Sequence, residues 1–138
     1  MKARILLATM AAGALGAGAM LTTAHAQVPA PGTLFVLHST AQGACPPLDW
    51  HVVTGDNGTL SGMISWNGMK SMAHVTGTTD AEHQFSMTAT EIGGDGRTAT
   101  ITGQRRPADG TLIADINGPG IACKQIEIPV FRRGGGNG

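Results

Sequence analysis

The amino-acid sequence predicts an all-β domain, an antiparallel up-and-down meander of about eight strands that forms a closed or nearly closed barrel. Apolar and polar residues alternate along most of the chain, as they do in half-buried strands. The triplet Gly-Thr-Leu occurs at residues 32–34, 58–60 and 110–112, and its starts are 26 and 52 residues apart. A fixed period of this size is typical of a repeated supersecondary unit. Turn-forming pairs such as Asn-Gly and Asp-Gly separate the alternating segments.

The first 26 residues have the features of a secretory signal peptide rather than of a folded element. Lys2 and Arg4 precede an apolar run over residues 5–21, and Ala24-His25-Ala26 matches the small-x-small cleavage pattern. The run is short, is broken by glycine and is followed by no basic stop-transfer flank, which disfavours a transmembrane anchor. We expect a protein that is exported to the periplasm or the medium, with cleavage near Ala26 and no membrane attachment afterwards.

The rest of the chain is predicted to form a single β domain over residues 33–131. An extended lead-in with two prolines occupies residues 27–32, and a flexible Gly-rich tail occupies residues 132–138. Without the signal peptide, seven basic residues remain against nine acidic ones, a net charge of −2. This balance excludes the basic surface of a nucleic-acid-binding protein, so we expect no nucleic-acid partner.

Eight strands are predicted, at residues 33–39, 48–54, 59–66, 72–78, 83–92, 97–104, 111–117 and 124–131. The connectors at residues 55–58, 93–96 and 107–110 carry Gly beside Asp or Asn, and these pairs tolerate the positive φ of tight hairpins. Connectors this short leave no room for parallel crossovers, so the sheet is expected to be antiparallel. Each 26-residue period then corresponds to one hairpin, and the hairpins open near Gly32, Gly58, Gln84 and Gly110.

The two cysteines favour a closed sheet over its alternative, a two-sheet β-sandwich. An open meander would expose two strand edges, and closure into a barrel removes both. Cys45 and Cys123 each lie 13 residues into their hairpin unit, one in the first unit and one in the last. Equivalent positions lie at the same end of the sheet, and only curling brings the first and last units together. We predict that these cysteines form a disulfide across the barrel seam, as export permits.

The alternation also predicts the interior of the barrel. The expected inward side chains are Leu34, Leu60, Ile64, Trp66, Phe85, Met87, Ile101, Leu112, Ile116, Ile126 and Ile128. Very small residues are expected at further inward positions, namely Gly62, Ala73, Gly77, Ala89, Ala99, Gly103 and Ala114. Because an eight-stranded barrel is just wide enough to be filled or to hold one small ligand, we expect an unfilled space near Trp66, Phe85 and Met87. In a sandwich, the same small residues would let two sheets approach each other.

The candidate ligand-binding residues are those expected next to this space, namely Trp66, Phe85, Met87 and His38. The orientation of His38 is open at this point. On the 26-residue repeat it aligns with Ile64 and Ile116 and would point inward, whereas the parity set by Phe35 and Leu37 would turn it outward.

Three functions of different classes are consistent with the sequence. A binding module for a small apolar or amphipathic ligand is favoured, and a structural or protein-interaction domain of the periplasm or extracellular space is the alternative. An enzyme comes third: no histidine pair has metal-ligand spacing and no nucleophile or phosphate-loop motif occurs, so we expect no catalytic residue, metal or cofactor. An outer-membrane barrel is disfavoured, because two Trp, three Phe and no Tyr are too few for two aromatic girdles.

Overall fold

A computed structural model describes residues 27–130, which form one eight-stranded antiparallel sheet in the order of the chain. The strands are β1 (Leu34–Ser39), β2 (Leu48–Thr54), β3 (Thr59–Trp66), β4 (Ser71–Thr79), β5 (Gln84–Glu91), β6 (Thr98–Arg105), β7 (Leu112–Gly118) and β8 (Ile121–Ile128). A short 3₁₀ turn, Asp56–Gly58, joins β2 to β3. The predicted signal peptide (1–26), the predicted tail (132–138) and Phe131 lie outside the described residues. No helix in residues 27–130 is long and apolar enough to span a membrane.

The sheet is curled rather than flat or split. It turns through 243° to form a half-barrel, and its two edges come within 5 Å of each other. The predicted meander and its near closure are therefore confirmed, and the two-sheet sandwich is wrong because the eight strands form one continuous sheet. Within residues 27–130, no backbone ladder joins β1 to β8, so other contacts hold the seam.

A disulfide closes the seam. Cys45, in the β1–β2 connector, is bonded to Cys123 of β8 with a Cα–Cα distance of 5.2 Å and a sequence separation of 78. Both half-cystines are buried. The predicted pairing is confirmed, and it links the first hairpin covalently to the last one.

Gln42 adds a second connection across the seam through its side-chain amide. Its Nε2 donates to the carbonyl oxygen of Glu127 at 2.9 Å, and its Oε1 accepts from the Glu127 backbone N–H at 2.8 Å. The amide therefore pairs with β8 as a peptide group of a neighbouring strand would. Gln42 and Cys45 also pair through both of their backbone groups. This tight turn holds the amide and the disulfide in one rigid unit.

Replacing Gln42 with alanine should lower the free energy of unfolding by about 1 kcal/mol, because two hydrogen bonds are lost at a partly buried site. Gln42→Glu should cost more than Gln42→Ala, since a carboxylate cannot donate to the Glu127 carbonyl and adds charge beside the Glu127 side chain. Urea unfolding measures both variants. Gln104→Ala, on the exposed face of β6, is the matched control, and an equal effect of all three changes would contradict this role for Gln42.

The last strand begins earlier than the alternation predicts, at Ile121 instead of residue 124. A β-bulge between Ala114 and Ile116 shifts the register of β7 against β8. The extra residue is on β8, where two consecutive residues, Lys124 and Gln125, oppose Asp115 and are both exposed, and Gln125 has a φ of 50°. Because the bulge interrupts the alternation of inward and outward residues, a prediction based on that alternation misses the first residues of β8.

The recurrent glycine of the Gly-Thr-Leu triplet has the same backbone role in each copy. Gly32, Gly58 and Gly110 have φ values of 81°, 73° and 78°, just before β1, β3 and β7. Such conformations cost glycine little and other residues more. In the third unit, which lacks the triplet, His83 has a φ of 59° before β5. The repeat therefore marks the left-handed residue that opens each hairpin.

The first hairpin differs from the others in the direction of its side chains. Leu34 is 61 % exposed, so the prediction that it points inward is wrong, and His38 is exposed on the same outer face. Phe35 and Leu37 point inward instead. A shift of one residue turns every side chain of a strand to the other face. The triplet repeats in sequence, but β1 is out of phase with β3 and β7 by one residue.

Three of the small inward residues allow close approach of neighbouring strands rather than creating space. A Cβ added to Gly62 would overlap the carbonyl oxygen of His51 on β2, and a Cβ added to Gly77 would overlap that of Ser86 on β5. Gly103 is confined in the same way by β7. At these glycines the backbone of a neighbouring strand lies too close for a side chain. The prediction that they leave an unfilled space is wrong for these three positions.

Candidate functional site

The interior of the curled sheet contains two cavities, one toward each end of the strands. The Trp50 cavity, of about 270 Å³, is bounded by the starts of the odd-numbered strands and the ends of the even-numbered ones. The Trp66 cavity, of about 500 Å³, lies at the opposite end of the strands. It is next to the β1–β2 connector, which contains Cys45, and the β7–β8 connector. Each cavity is lined by one of the two tryptophans of the chain.

A packed layer of side chains separates the two cavities. Val75 and Ile126 are each 1 % exposed, and Ala114 is completely buried. None of these three side chains lines either cavity. On β4, β7 and β8, the inward residues pass from one cavity, through this layer, to the other. The predicted unfilled space therefore exists, but it is divided in two.

The wall of the Trp50 cavity is almost entirely apolar. Its apolar side chains come from six strands and include Phe35, Leu37, Trp50, Val52, Leu60, Phe85, Met87, Leu112 and Ile128. The indole Nε1 of Trp50 donates to the hydroxyl of Ser39 at 3.2 Å. This bond matters because an unsatisfied buried donor costs about 1–3 kcal/mol. It fixes the indole with its ring against the cavity.

The polar groups of the Trp50 cavity lie at one end of the strands, where Thr54 is buried and His83 and Arg105 are partly exposed. The hydroxyl of Thr54 donates to the carbonyl of Ala30 at 2.6 Å, and that of Thr79 donates to the carbonyl of Gln84 at 3.0 Å. Both hydroxyl protons are thus used by the backbone. His83 and Arg105 also line the cavity and are partly buried there. None of the described residues in this lining carries a carboxylate.

The Trp66 cavity has a different polar lining, an ion pair between β5 and the β5–β6 connector. Arg97 donates from Nε and Nη2 to the two carboxylate oxygens of Glu91, at 2.9 and 3.2 Å. The hydrogen bond from Arg97 lowers the pKa of Glu91, and the same bond raises the pKa of Arg97. The two charges cancel each other at this end of the interior. The rest of the lining is rich in small side chains, including Ala73, Ala89 and Ala99.

The candidate ligand-binding residues are distributed over three places. Phe85 and Met87 lie together in the wall of the Trp50 cavity. Trp66 lines the other cavity, so the structure does not bring it next to them. His38 lies on the outer surface, where its Nδ1 is 2.7 Å from a carboxylate oxygen of Asp49.

Sequence reasoning missed the central residue of the first cavity. Trp50 is 2 % exposed, but it was not among the predicted inward residues. The signal was available, because Leu48, Trp50, Val52 and Thr54 alternate along β2 and all four are buried. The predicted inward set depends on alternation and on the repeated triplets, and no triplet occurs in this strand.

Two further carboxylates on the outer surface have depressed pKa values. Arg106 lies between Asp109 and Glu127, with N–O distances of 2.7–3.0 Å, and its hydrogen bonds hold the pKa of Asp109 far below its ordinary value of 3.8. Asp115 accepts the backbone N–H of Gln125 at 2.7 Å, which lowers the pKa of Asp115 and stabilises the β8 bulge.

These depressed pKa values predict that the protein loses stability in acid. A carboxyl whose pKa is lower when folded stabilises the fold fully above its unfolded pKa, and this stabilisation disappears as the pH falls through the folded value. The ordinary values are 3.8 for Asp109 and 4.5 for Glu91. The urea midpoint should therefore be constant above about pH 5 and fall below about pH 4.

The share of Asp109 in this acid dependence can be isolated with one pair of variants. Asp109→Asn should narrow the difference in urea midpoint between about pH 6 and about pH 3. Asp56→Asn is the control, since its carboxylate makes no hydrogen bond or ion pair with other described residues. An equal narrowing in both variants would show that general charge, rather than the Arg106 contact, sets the dependence.

Metal binding and known relatives give no assignment for these cavities. Within residues 27–130, no group of three His, Cys, Asp or Glu side chains is arranged to hold a metal ion. Comparisons of the chain with protein-family models, with curated proteins and with solved structures find no match. What the fold and the site define is a small curled β-sheet domain with a disulfide and two internal cavities.

Proposed function

We propose that this protein is a binding module for a small apolar or amphipathic ligand. The observation that carries the proposal is the pair of cavities inside the curled sheet, about 270 and 500 Å³ in volume. Small-molecule sites are commonly concave, largely apolar and preformed, and the mouths of β-barrels are a frequent location. A non-catalytic role is part of the proposal.

The energetics of the cavities support occupancy by a ligand. Side chains that line an empty space lose dispersion contacts, and residual cavity volume is destabilising. An engineered apolar cavity of about 150 Å³ takes up benzene, so both spaces in this protein are large enough for a small organic molecule. The disulfide and the Gln42 amide keep the seam closed, which preserves the cavities when they are empty.

The two tryptophans allow binding to be assigned to one cavity. Trp66→Phe leaves Trp50 as the only fluorophore, and Trp50→Phe leaves Trp66. Each variant is titrated with toluene, naphthalene and 1-octanol, while fluorescence and the thermal midpoint are recorded. Binding should change the emission of the tryptophan that lines the occupied cavity and raise the midpoint, since a ligand that binds only the native state stabilises it.

Cavity-filling variants provide matched controls for this experiment. Val52→Phe fills part of the Trp50 cavity and Ala89→Leu fills part of the Trp66 cavity. Each should abolish binding in its own cavity, leave the other cavity unaffected and raise the free energy of unfolding by about 1 kcal/mol. If no probe changes either the fluorescence or the midpoint, the binding proposal is wrong.

We also propose that the chain is exported and that residues 1–26 are removed near Ala26. The disulfide supports this, because disulfides persist in oxidising compartments and are rare in the cytosol. The basic start, apolar run and Ala24-His25-Ala26 sequence fit a cleaved signal peptide. Expression of the full chain, followed by intact-mass measurement of the periplasmic and medium fractions, tests it. A product that retains Met1 and stays in the cytosol contradicts it.

The second candidate function, a protein-interaction domain, is favoured by one surface feature. Leu34 and Val36 on the edge strand β1 are 61 % and 59 % exposed, and Val53 lies opposite Leu34 on β2. Exposed apolar side chains that adjoin one another are typical of contact surfaces. Leu34→Ser together with Val36→Ser should abolish the association with a protein partner but leave ligand titrations unchanged.

A further inference from the structure

The two cavities differ in the charge at their mouths, and this difference points to the chemistry of a ligand. In the Trp66 cavity, Arg97 is neutralised by Glu91. Among the described residues that line the Trp50 cavity, Arg105 and His83 are the only ones with titratable side chains. The first mouth is electrically balanced, whereas the second carries an uncompensated guanidinium.

Arg105 points into the Trp50 cavity because of its place on β6. It stands two residues after Gly103 and four after Ile101, and alternate residues of a strand lie on the same face. Its neighbour Arg106 is turned away and is already bound to Asp109 and Glu127. Arg105, in contrast, makes no side-chain hydrogen bond or ion pair with another residue between 27 and 130.

His83 is held beside Arg105 by the backbone. The N–H of Arg105 donates to the carbonyl oxygen of His83 at 3.1 Å, and the N–H of His83 donates to that of Asp80 at 3.1 Å. The carboxylate of Asp80 is used in the same turn, where it accepts the N–H of Gln84 at 2.9 Å. This hydrogen-bonded turn places His83 in the lining of the cavity next to Arg105.

Gly110 gives the guanidinium of Arg105 the room to stay there. A Cβ at position 110 would lie only 3.1 Å from Nη2 of Arg105. The left-handed φ of 78° already favours glycine at this position. The guanidinium therefore packs against bare backbone on one side, and its remaining N–H groups are available to an acceptor.

We infer that the Trp50 cavity binds an amphipathic monocarboxylate, with its carboxylate at Arg105 and His83 and its alkyl tail against Trp50, Phe85 and Met87. A planar guanidinium donates two parallel hydrogen bonds to a carboxylate, and these charge-assisted bonds are among the stronger ones in proteins. Apart from Thr54 and Thr79, whose hydroxyl protons are bonded to the backbone, the rest of the lining offers the tail apolar side chains. The inference rests on the proposed binding function and specifies its cavity and its ligand class.

The volume of the cavity suits a tail of moderate length. At about 270 Å³ it exceeds the apolar cavity of about 150 Å³ that takes up benzene, so it has room for a chain of several carbons. Octanoate is the appropriate probe, with 1-octanol and octylamine as probes of the same chain length and different head-group charge.

The experiment uses the Trp66→Phe protein, so that fluorescence reports on Trp50 alone. Octanoate should bind about ten-fold more tightly than 1-octanol, a difference of about 1.4 kcal/mol, and octylamine should bind most weakly. Raising the salt concentration from about 0.05 to about 0.5 M should weaken the binding of octanoate but not of 1-octanol, because salt screens partly exposed charges.

Two substitutions at Arg105 test its role, and Lys124→Gln, which removes the same charge as Arg105→Gln, is the control. Arg105→Gln should weaken octanoate binding about ten-fold and leave 1-octanol binding unchanged, whereas Arg105→Lys should recover only part of the loss, because an ammonium lacks the two-pronged geometry. Lys124→Gln removes one positive charge from the outer surface, where Lys124 is 72 % exposed. It should leave the binding of both probes unchanged.

The outcomes separate this inference from the proposed function on which it rests. Equal binding of octanoate and 1-octanol, with a response from Trp50, would overturn the carboxylate preference and leave the binding function standing. A response to octanoate from Trp66 in the Trp50→Phe protein, with none from Trp50, would overturn the choice of cavity. No response to any of the three probes would overturn both.

Discussion

Replacing both cysteines with alanine is expected to lower the free energy of unfolding by about 4 kcal/mol, the largest effect that we expect of any change in this chain. The disulfide joins residues 78 positions apart. In the chain-entropy model, a cross-link over so long a loop lowers the conformational entropy of the unfolded state, which raises the free energy of that state by about this amount. In the native state the edges of the sheet lie 5 Å apart without a backbone ladder between them, so the bond also prevents the seam from opening.

Equilibrium urea unfolding of Cys45→Ala/Cys123→Ala against the wild-type protein measures this loss. Alanine is used because both positions are buried, where a serine hydroxyl would need a hydrogen-bond partner. Reduced wild-type protein should resemble the double variant, and a reductant should have no effect on the double variant. Unchanged stability on reduction would mean that the Gln42 amide and core packing hold the seam without the covalent bond.

Replacing Gly77 with alanine is expected to cost about 3 kcal/mol, because the added methyl group has no space. The ideal Cβ position at Gly77 overlaps the carbonyl oxygen of Ser86 and lies 2.6 Å from the Cα of Met87. Both are backbone atoms, which cannot rotate away as a side chain can. The strands β4 and β5 must separate locally, and the curl of the sheet must relax at this point.

Thr76→Ala on the exposed outer face of the same strand is the matched control for Gly77→Ala. It changes the strand by one side chain without adding an atom to the interior, and it should alter the urea midpoint only slightly. Since Met87 lines the Trp50 cavity, Gly77→Ala should also change the emission of Trp50 in the Trp66→Phe background. A stable variant with unaltered emission would contradict the close approach of β4 and β5.

The curl, the seam and the cavities are thus parts of one arrangement. Glycines let neighbouring strands approach closely, the disulfide and the Gln42 amide fasten the edges of the sheet, and a layer of buried side chains divides the interior. In the proposed function, a ligand occupies a cavity that the inward side chains leave unfilled. Its specificity, in the inference made above, depends on one guanidinium and one imidazole at one of the two mouths.

The sequence by itself determined the strand count, the antiparallel order, most of the inward side chains and the disulfide pairing. These features depend on local rules. Alternation with a period of two assigns Leu60, Ile64, Ile101 and Ile116 to the inner face, and all four are buried. Short turns that contain glycine at positive φ permit only hairpins. The equivalent positions of Cys45 and Cys123 in the first and last units then indicate a curled sheet.

Only the tertiary structure decided which face β1 turns inward, where the interior is filled, and which polar groups are free. The direction of β1 depends on its register against β2, and one residue of shift reverses it without any change in pattern. The division into two cavities depends on how far Val75 and Ile126 reach across the barrel. Arg105 and Arg106 are adjacent and chemically identical, but their side chains lie on opposite faces of the sheet. Arg106 therefore pairs with two carboxylates, whereas Arg105 lines a largely apolar cavity.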